Sequence, residues 1–492
     1  MNELEKQTNI AITENGAVGY ATTFNTLLDF NFQVPSLRRR EDVGRYVREV
    51  INSVTDLETL YRYIFFLRDV RGGMGERRLF RAFIRELALM RRQELLPLIP
   101  LIAEYGRWDD LFVLKNTPFE PYMVEEVIFQ LKRDVADISN NKPISLLAKW
   151  MPSNNASCEE TKELAKFFAS KLRLTAKQYR KLLSRMRYYL KVTETQISRE
   201  EFDKIDYSKV PSLANLRYSR LFLDRDYERR IKFLSSLEKG EIKVNSSVLY
   251  PHDVVAKVRR QGKSEPLTQG LWDGLRKVEG IKNTLVVVDV SGSMGFPISS
   301  NVEAMDASIG LGIYFAERNS GEFKDKVITF SSEPKFVDLK NCKSIFDKVH
   351  KVEVSQWAMN TNIEKVFDLV LNTAVSSKCS QDEIPNILII SDMEFDRCVG
   401  NGNTYTFDNF KKRFQEFGYE LPKVTFWNLG SRSKSIPMTE NSLGVALVSG
   451  YSPTCVKAVM SGKLDPYGAL MDCIFVERYD KIAEAIKDYA CA

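Results

Sequence analysis

The stretch that most constrains this chain is Thr284-Leu-Val-Val-Val-Asp-Val-Ser-Gly-Ser-Met-Gly295. Its unbroken apolar run, Leu285 to Val288, predicts a strand buried on both faces of a parallel sheet. The run ends in Asp289, Ser291, Gly292 and Ser293, so oxygen ligands stand at the carboxyl end of a strand, where open α/β sheets bind their ligands. Gly292 and Gly295 permit a turn tight enough for the three oxygen-bearing side chains to converge. One carboxylate and two hydroxyls on one side of a short loop are hard ligands that suit Mg²⁺.

A metal site needs further oxygens from neighbouring strand ends. Ile387 to Ile390 is a second buried run, and it closes on Ser391 and Asp392. Between the two lies a polar loop, Trp357 to Ile363, that opens an amphipathic helix carrying Ile363, Val366, Phe367 and Val370 on one face, with Thr361 at its start. These elements resemble the von Willebrand factor A domain, whose metal-ion-dependent adhesion site combines an Asp-x-Ser-x-Ser loop, a Thr from a second loop and an Asp from a third. The resemblance implies Asp289, Ser291, Ser293, Thr361 and Asp392 as the ligand set, some acting through water.

Taken singly, Asp289 reads as a strand-end turn former and Thr361 as a helix cap. A haloacid-dehalogenase-type phosphatase also ends a strand in Asp, but it needs a second Asp two residues on, and Ser291 stands there. A nuclease would want more acids around the ion, and Glu394 and Asp396 lie near in sequence.

A chain of 492 residues suggests two or three domains. Its seven cysteines include no Cys-x-x-Cys pair, which argues against a zinc site or disulfide framework and for reduced thiols. No apolar run is long enough to span a bilayer, and Met1 to Lys6 lacks a signal-peptide core, so a cytoplasmic protein without membrane association is expected. The two histidines, His252 and His350, read as structural or surface residues. Charge is uneven: residues 1–280 hold 48 Lys and Arg against 38 Asp and Glu, whereas the remainder holds 23 against 27. The basic part lies outside the metal-site domain.

Residues 1–37 read as a loop or short extended segment leading into a helix and packing on the body. From Arg40 to about Thr195 apolar residues recur three and four apart, as in Leu57, Leu60, Tyr61, Ile64 and Leu67, or Leu79, Phe80, Phe83, Ile84 and Leu87. Further helices are predicted over Leu95 to Ala103, Val124 to Leu131, Leu164 to Leu172, Tyr179 to Leu190 and Tyr218 to Leu237. Successive helices without strands point to an α-solenoid, although no clean sequence period emerges. Gln261-Gly-Lys-Ser264 reads as a linker, after which strands and helices alternate as in a doubly wound sheet.

Tyr63-Ile-Phe-Phe-Leu-Arg-Asp-Val-Arg-Gly-Gly-Met-Gly-Glu-Arg-Arg78 and Tyr105-Gly-Arg-Trp-Asp-Asp-Leu111, in a helical array ahead of an A domain, resemble the Ro family of ring-shaped RNA-binding proteins, and still more its relatives carried as a domain of unknown function. Leu237 to Ile242, Ser247 to Asp253 and Ser449 to Pro453 fit those relatives too. The implied fold is an α-solenoid of HEAT-like (TROVE-type) repeats forming a ring, closed by an α/β doubly wound von Willebrand factor A domain. The implied partner is structured or small noncoding RNA on a basic outer surface, with single-stranded ends in the central hole.

Independently, Thr161 to Lys191 contains one acid, Glu163, against Lys162, Lys166, Lys171, Arg173, Lys177, Arg180, Lys181, Arg185, Arg187 and Lys191. Such a helix pair could neutralise several phosphates, while Tyr179, Tyr188 and Tyr189 stack on unpaired bases. The bland reading is a solvated face whose tyrosines belong to the core. The glycines of Arg71 to Arg78 suggest either a phosphate cradle or, more simply, a tight helix–helix turn.

The expectation is therefore three parts: residues 1–37, a helical-repeat domain over 38–270, and an A domain over 281–492. The expected protein is a non-enzymatic, monomeric RNA-binding ring whose Mg²⁺ or other divalent cation bridges to a partner's Glu or Asp. A metal-dependent protein–protein adhesion scaffold without RNA is the alternative.

Overall fold

The computed structural model describes residues 8–246, 248–277, 281–330, 334–355, 362–396, 406–437, 444–455 and 465–490. The chain forms two compact units, each assembled from separated stretches. One combines Met1–Val54, Arg71–Met74 and Ser235–Val476; the other combines Thr55–Val70, Gly75–Leu234 and Glu477–Ala492. These divisions do not follow the boundaries expected near residues 37 and 270.

The first unit is built on a six-stranded sheet: β1 (Thr284–Val288), β2 (Lys326–Thr329), β3 (Phe336–Asp338), β4 (Asn386–Ser391), β5 (Val424–Asn428) and β6 (Val445–Ser449). Their order is β3-β2-β1-β4-β5-β6, all parallel except the short β3, which runs antiparallel to β2. Every residue of β1, β5 and β6 is buried, and so is β4 after its first residue, which accounts for their unbroken apolar runs. The strand order reverses between β1 and β4, the neighbouring strands that are followed at once by Asp289 and Asp392. In doubly wound sheets a crevice opens at such a switch point.

Helices cover both faces closely. The Ala304–Arg318 helix approaches β1 so tightly that a Cβ on Gly312 would stand 2.3 Å from Val288 Cγ2. A Cβ on Gly310 would stand 3.0 Å from the backbone of His252, which brings in the Pro251–Gln261 helix through its buried Val254, Val255 and Val258. That helix and Pro266–Asp273 therefore belong to the α/β unit. Gly262, with φ of 62°, ends the first of them, so Gln261 to Ser264 is a turn between packed helices and not a linker ahead of the domain.

The N-terminal segment completes this unit. Ala11–Ile12 pairs with Val18–Gly19, and the Thr26–Leu37 helix, capped by Asn25, lies on β5 and β6. Asn428 Nδ2 donates to Phe32 O at 2.7 Å, and Ser449 Oγ donates to Asn31 O. Together with Pro466–Ile474, this helix covers an edge strand that would otherwise expose apolar side chains.

The second unit is helical among its described residues, and the Leu57–Arg68 helix is its hub, buried at every position from Thr59 to Arg68. A glycine turn leads to Arg77–Leu89: Gly75 has φ of 71°, its N–H donates to Asp69 O at 3.2 Å, and the Glu76 side chain caps the next helix through Arg78 N. Asp110 accepts from Arg68 Nε at 2.7 Å, Arg81 Nε at 2.6 Å and its own neighbour Arg107 N at 2.9 Å. The two stretches that looked diagnostic are thus joined by a buried ion pair. The C-terminal Asp480–Ala490 helix packs on the hub, where Arg62 Nη2 meets Asp480 Oδ1 at 2.8 Å and Arg478 holds Asp69.

Two helices expected as continuous are broken. Pro97 and Pro100 divide Leu95 to Ala103 between a 3-10 turn, Gln93–Leu98, and a helix, Ile99–Tyr105. Tyr218 to Leu237 splits at Asp226, whose Oδ2 accepts from Tyr207 Oη and Arg229 Nη1, both at 2.8 Å.

Candidate metal centre and basic helical face

Asp289 leaves the end of β1 fully buried. Its Oδ1 accepts from Ser291 N at 3.0 Å and its Oδ2 from Ser391 Oγ at 2.6 Å, so the last residue of β4 ties the two strand ends together. Ser291 and Ser293 face each other with hydroxyls 2.9 Å apart. Asp392, also fully buried, accepts from Glu394 N at 3.2 Å through Oδ1. Between Asp392 and Glu394, Met393 adopts φ of 65°, a left-handed conformation that non-glycine residues rarely hold. Four of the five residues expected as ligands therefore converge; Thr361 lies outside the described residues.

The electrostatics of this cluster are unfavourable as it stands. Burial pushes the carboxyl of Asp392 up to about 7, with the neighbouring charge of Asp289 adding to the effect, and burial raises Asp289 as well. Asp392 Oδ2 is buried without a hydrogen bond, and the Arg432 guanidinium is 3.6 Å away. Two adjoining buried carboxylates, one with an unsatisfied oxygen, beside two hydroxyls make a donor set that a divalent cation fits. Among the described residues no three His, Cys, Asp or Glu side chains are grouped to hold an ion, so hydroxyls would have to complete the shell.

Glu394 does something the sequence did not signal. Its Oε1 accepts from Arg432 N at 2.6 Å and Ser433 N at 2.8 Å, and its Oε2 from Glu14 N at 2.8 Å. Thr13 Oγ1 donates to Phe395 O at 2.7 Å and Asn15 Nδ2 to Glu394 O at 2.7 Å. This carboxylate is a clamp holding the N-terminal segment beside the site, and it is not available to an ion.

The basic residues divide into two groups. Arg187, expected among the RNA contacts, points inward: its guanidinium donates to Ala148 O, Ser153 Oγ and Met151 O at 2.6–2.8 Å. Lys162 pairs with Glu159 at 2.9 Å, Lys171 with Glu120 at 3.1 Å, and Lys166 stands 4.0 Å from Glu159. Arg173, Lys177, Arg180, Lys181, Arg185 and Lys191 are exposed and have no acidic partner among the described residues. Lys177, Lys181 and Arg185 follow one another at four-residue spacing along the Ala176–Tyr189 helix, which places them on one face. Tyr179 is core, fully buried with its hydroxyl on Pro152 O at 2.9 Å, whereas Tyr188 is 52% exposed.

Two family models match. Residues 283–471 match a domain of unknown function, DUF7788, and residues 128–287 match another, DUF2828. A protein of Acanthamoeba polyphaga mimivirus, "Uncharacterized protein L728", is 31% identical over 496 aligned positions, which cover 92% of this chain and 85% of the viral one. The chain belongs to the family of this viral protein. The match to this relative spans residues of both units. Among solved structures, the Deinococcus radiodurans RO (RSR) protein aligns over 87% of this chain and 93% of its own at 12% identity, with a TM-score of 0.38. No described helix is long and apolar enough to cross a membrane.

Proposed function

We propose that this protein binds RNA without acting on it chemically, using the exposed face of the Ala176–Tyr189 helix, and that its α/β unit holds a divalent cation as an adhesion site. The observation that carries the RNA reading is the set of six exposed cations without acidic partners, from Arg173 to Lys191. Like charges held this close on a helix repel one another, and a polyanion relieves that repulsion. The resemblance to the Ro family extends the proposal to small noncoding RNA, to HEAT-like repeats closed into a ring by a von Willebrand factor A domain, and to a cytoplasmic monomer.

The cation, Mg²⁺ or a similar ion, would be held by Asp289, Ser291, Ser293 and Asp392, with Thr361 completing the set by the same resemblance. When bound it supplies positive charge for a partner's Glu or Asp. A hydrolytic role fits less well, because Glu394 is occupied by backbone amides. The second reading is a metal-dependent protein–protein scaffold without RNA, favoured by the unsatisfied Asp392 Oδ2 alone.

The deciding experiment is purification at low salt followed by extraction and sequencing of any bound nucleic acid, repeated with Lys177, Arg180, Lys181 and Arg185 changed to Glu. A defined small RNA that the folded variant loses supports the proposal. No RNA at any salt concentration leaves the scaffold reading.

A further inference from the structure

The basic helix ends in a groove that two of the basic residues share with two tyrosines. Asn141, Arg185, Tyr188, Tyr189 and Lys191 line it, with Ile138 and Pro143 supplying apolar wall. Two helix ends meet there. Asn141, with φ of 53°, follows the Glu120–Ser139 helix, and Lys191, with φ of 51°, follows Ala176–Tyr189. Both residues turn the chain away from the helix axis and leave their side chains exposed.

The two tyrosines are held differently. Tyr189 Oη donates to Lys142 O at 2.9 Å, which fixes that ring. Tyr188 carries the Arg199 guanidinium 5.0 Å from its ring centroid, and Arg199 is in turn anchored to Ser184 Oγ at 3.3 Å. A half-exposed ring that is stiffened by a cation on one side is a poor element of a core and a good platform for a flat ligand. The Asn141 amide can both donate and accept, as the edge of a base requires, and Arg185 and Lys191 are cations that line the same groove.

We infer that this groove takes an unpaired nucleotide of a single-stranded RNA, its base stacked on Tyr188 and its flanking phosphates met by Arg185 and Lys191. The occupant follows from charge complementarity: the groove lies at the end of the cationic stripe Lys177, Lys181 and Arg185, so a strand tracking the stripe is led to it. The inference rests on the RNA reading above and adds a preference for unpaired over paired strands, because a base inside a duplex cannot reach a ring.

The test uses the full-length protein with a fluorescent single-stranded oligoribonucleotide and a duplex of equal length. Tyr188→Ala should weaken the single strand by roughly tenfold, the effect of losing one stack. Tyr188→Phe should restore binding, and neither change should alter duplex binding or the melting temperature. Arg185→Ala should instead flatten the salt dependence of single-strand binding by about 0.7 units of slope. Equal affinities of wild type and Tyr188→Ala for the single strand overturn the inference. If those affinities still fall when Lys177 and Lys181 become Glu, the basic face remains an RNA site without a stacking groove. Absence of binding to either RNA overturns both readings.

Discussion

Asp392 carries two burdens, a buried carboxyl raised toward neutrality and an oxygen without a hydrogen bond. A carboxyl whose folded value exceeds its unfolded value keeps the folded state protonated where the unfolded chain is already ionised. Its contribution to stability is therefore complete below about pH 4 and is lost as pH rises toward 7. In chelator, the melting temperature of the α/β unit should fall between about pH 4 and 7 and level off above, and Mg²⁺ should restore it most at the upper end. Asp392→Asn should raise the melting temperature in chelator at pH 8 and abolish the Mg²⁺ effect. A variant that melts lower than wild type in chelator would show that the pair is held by something other than a cation.

Among the elements, the Ala176–Tyr189 helix shows how one stretch of sequence serves two ends. Its positive residues look alike in the sequence, yet Arg187 is locked onto two carbonyls and a hydroxyl while Lys177 and Lys181 meet water. Arg187→Ala should destabilise the helical unit by about 2 kcal/mol, since buried acceptors lose a charged donor. Lys177→Ala and Lys181→Ala should leave a denaturant melt unchanged. If all six free cations contact a single strand, the affinity should fall by about 4 log units per tenfold rise in salt.

Periodicity could not separate these residues, because what distinguishes Arg187 is the position of Ala148 and Met151, supplied by the Leu147–Trp150 helix and the residue that ends it. The strand ends at Asp289 and Asp392 were legible for the opposite reason, since a doubly buried strand writes its whole length in apolar residues. Glu394 was not, because its partners are backbone amides at residues 14, 432 and 433, and amides leave no mark on a sequence. Asp226 and the prolines at 97 and 100 were readable in principle as breaks, but apolar spacing ran through them.

At the scale of the molecule, the two units are not consecutive segments of chain. The α/β unit draws on Met1–Val54, and the helical unit recovers Glu477–Ala492. A fragment of residues 235–476 therefore keeps the Pro251–Gln261 and Pro266–Asp273 helices but lacks the helix that covers β5 and β6 and the amide that satisfies Glu394. It should be insoluble or molten alone, with weak tertiary circular dichroism, and residues 8–54 added in trans should recover an ordered signal. A fragment that folds unaided would mean that the N-terminal segment is an accessory and not part of the domain.

The bond from Glu14 to Glu394 also sets a timetable. Its two ends are 380 residues apart in the chain. At ribosomal speeds of about 5–20 residues per second, the first end emerges roughly 20–80 s before the second exists. Throughout that wait the Thr26–Leu37 helix, with Leu28, Phe32 and Leu37 destined for burial, has no sheet to lie on. Until β5 and β6 are made, the nascent chain thus exposes a largely apolar helix whose cover at Asn428 lies 396 residues beyond Phe32.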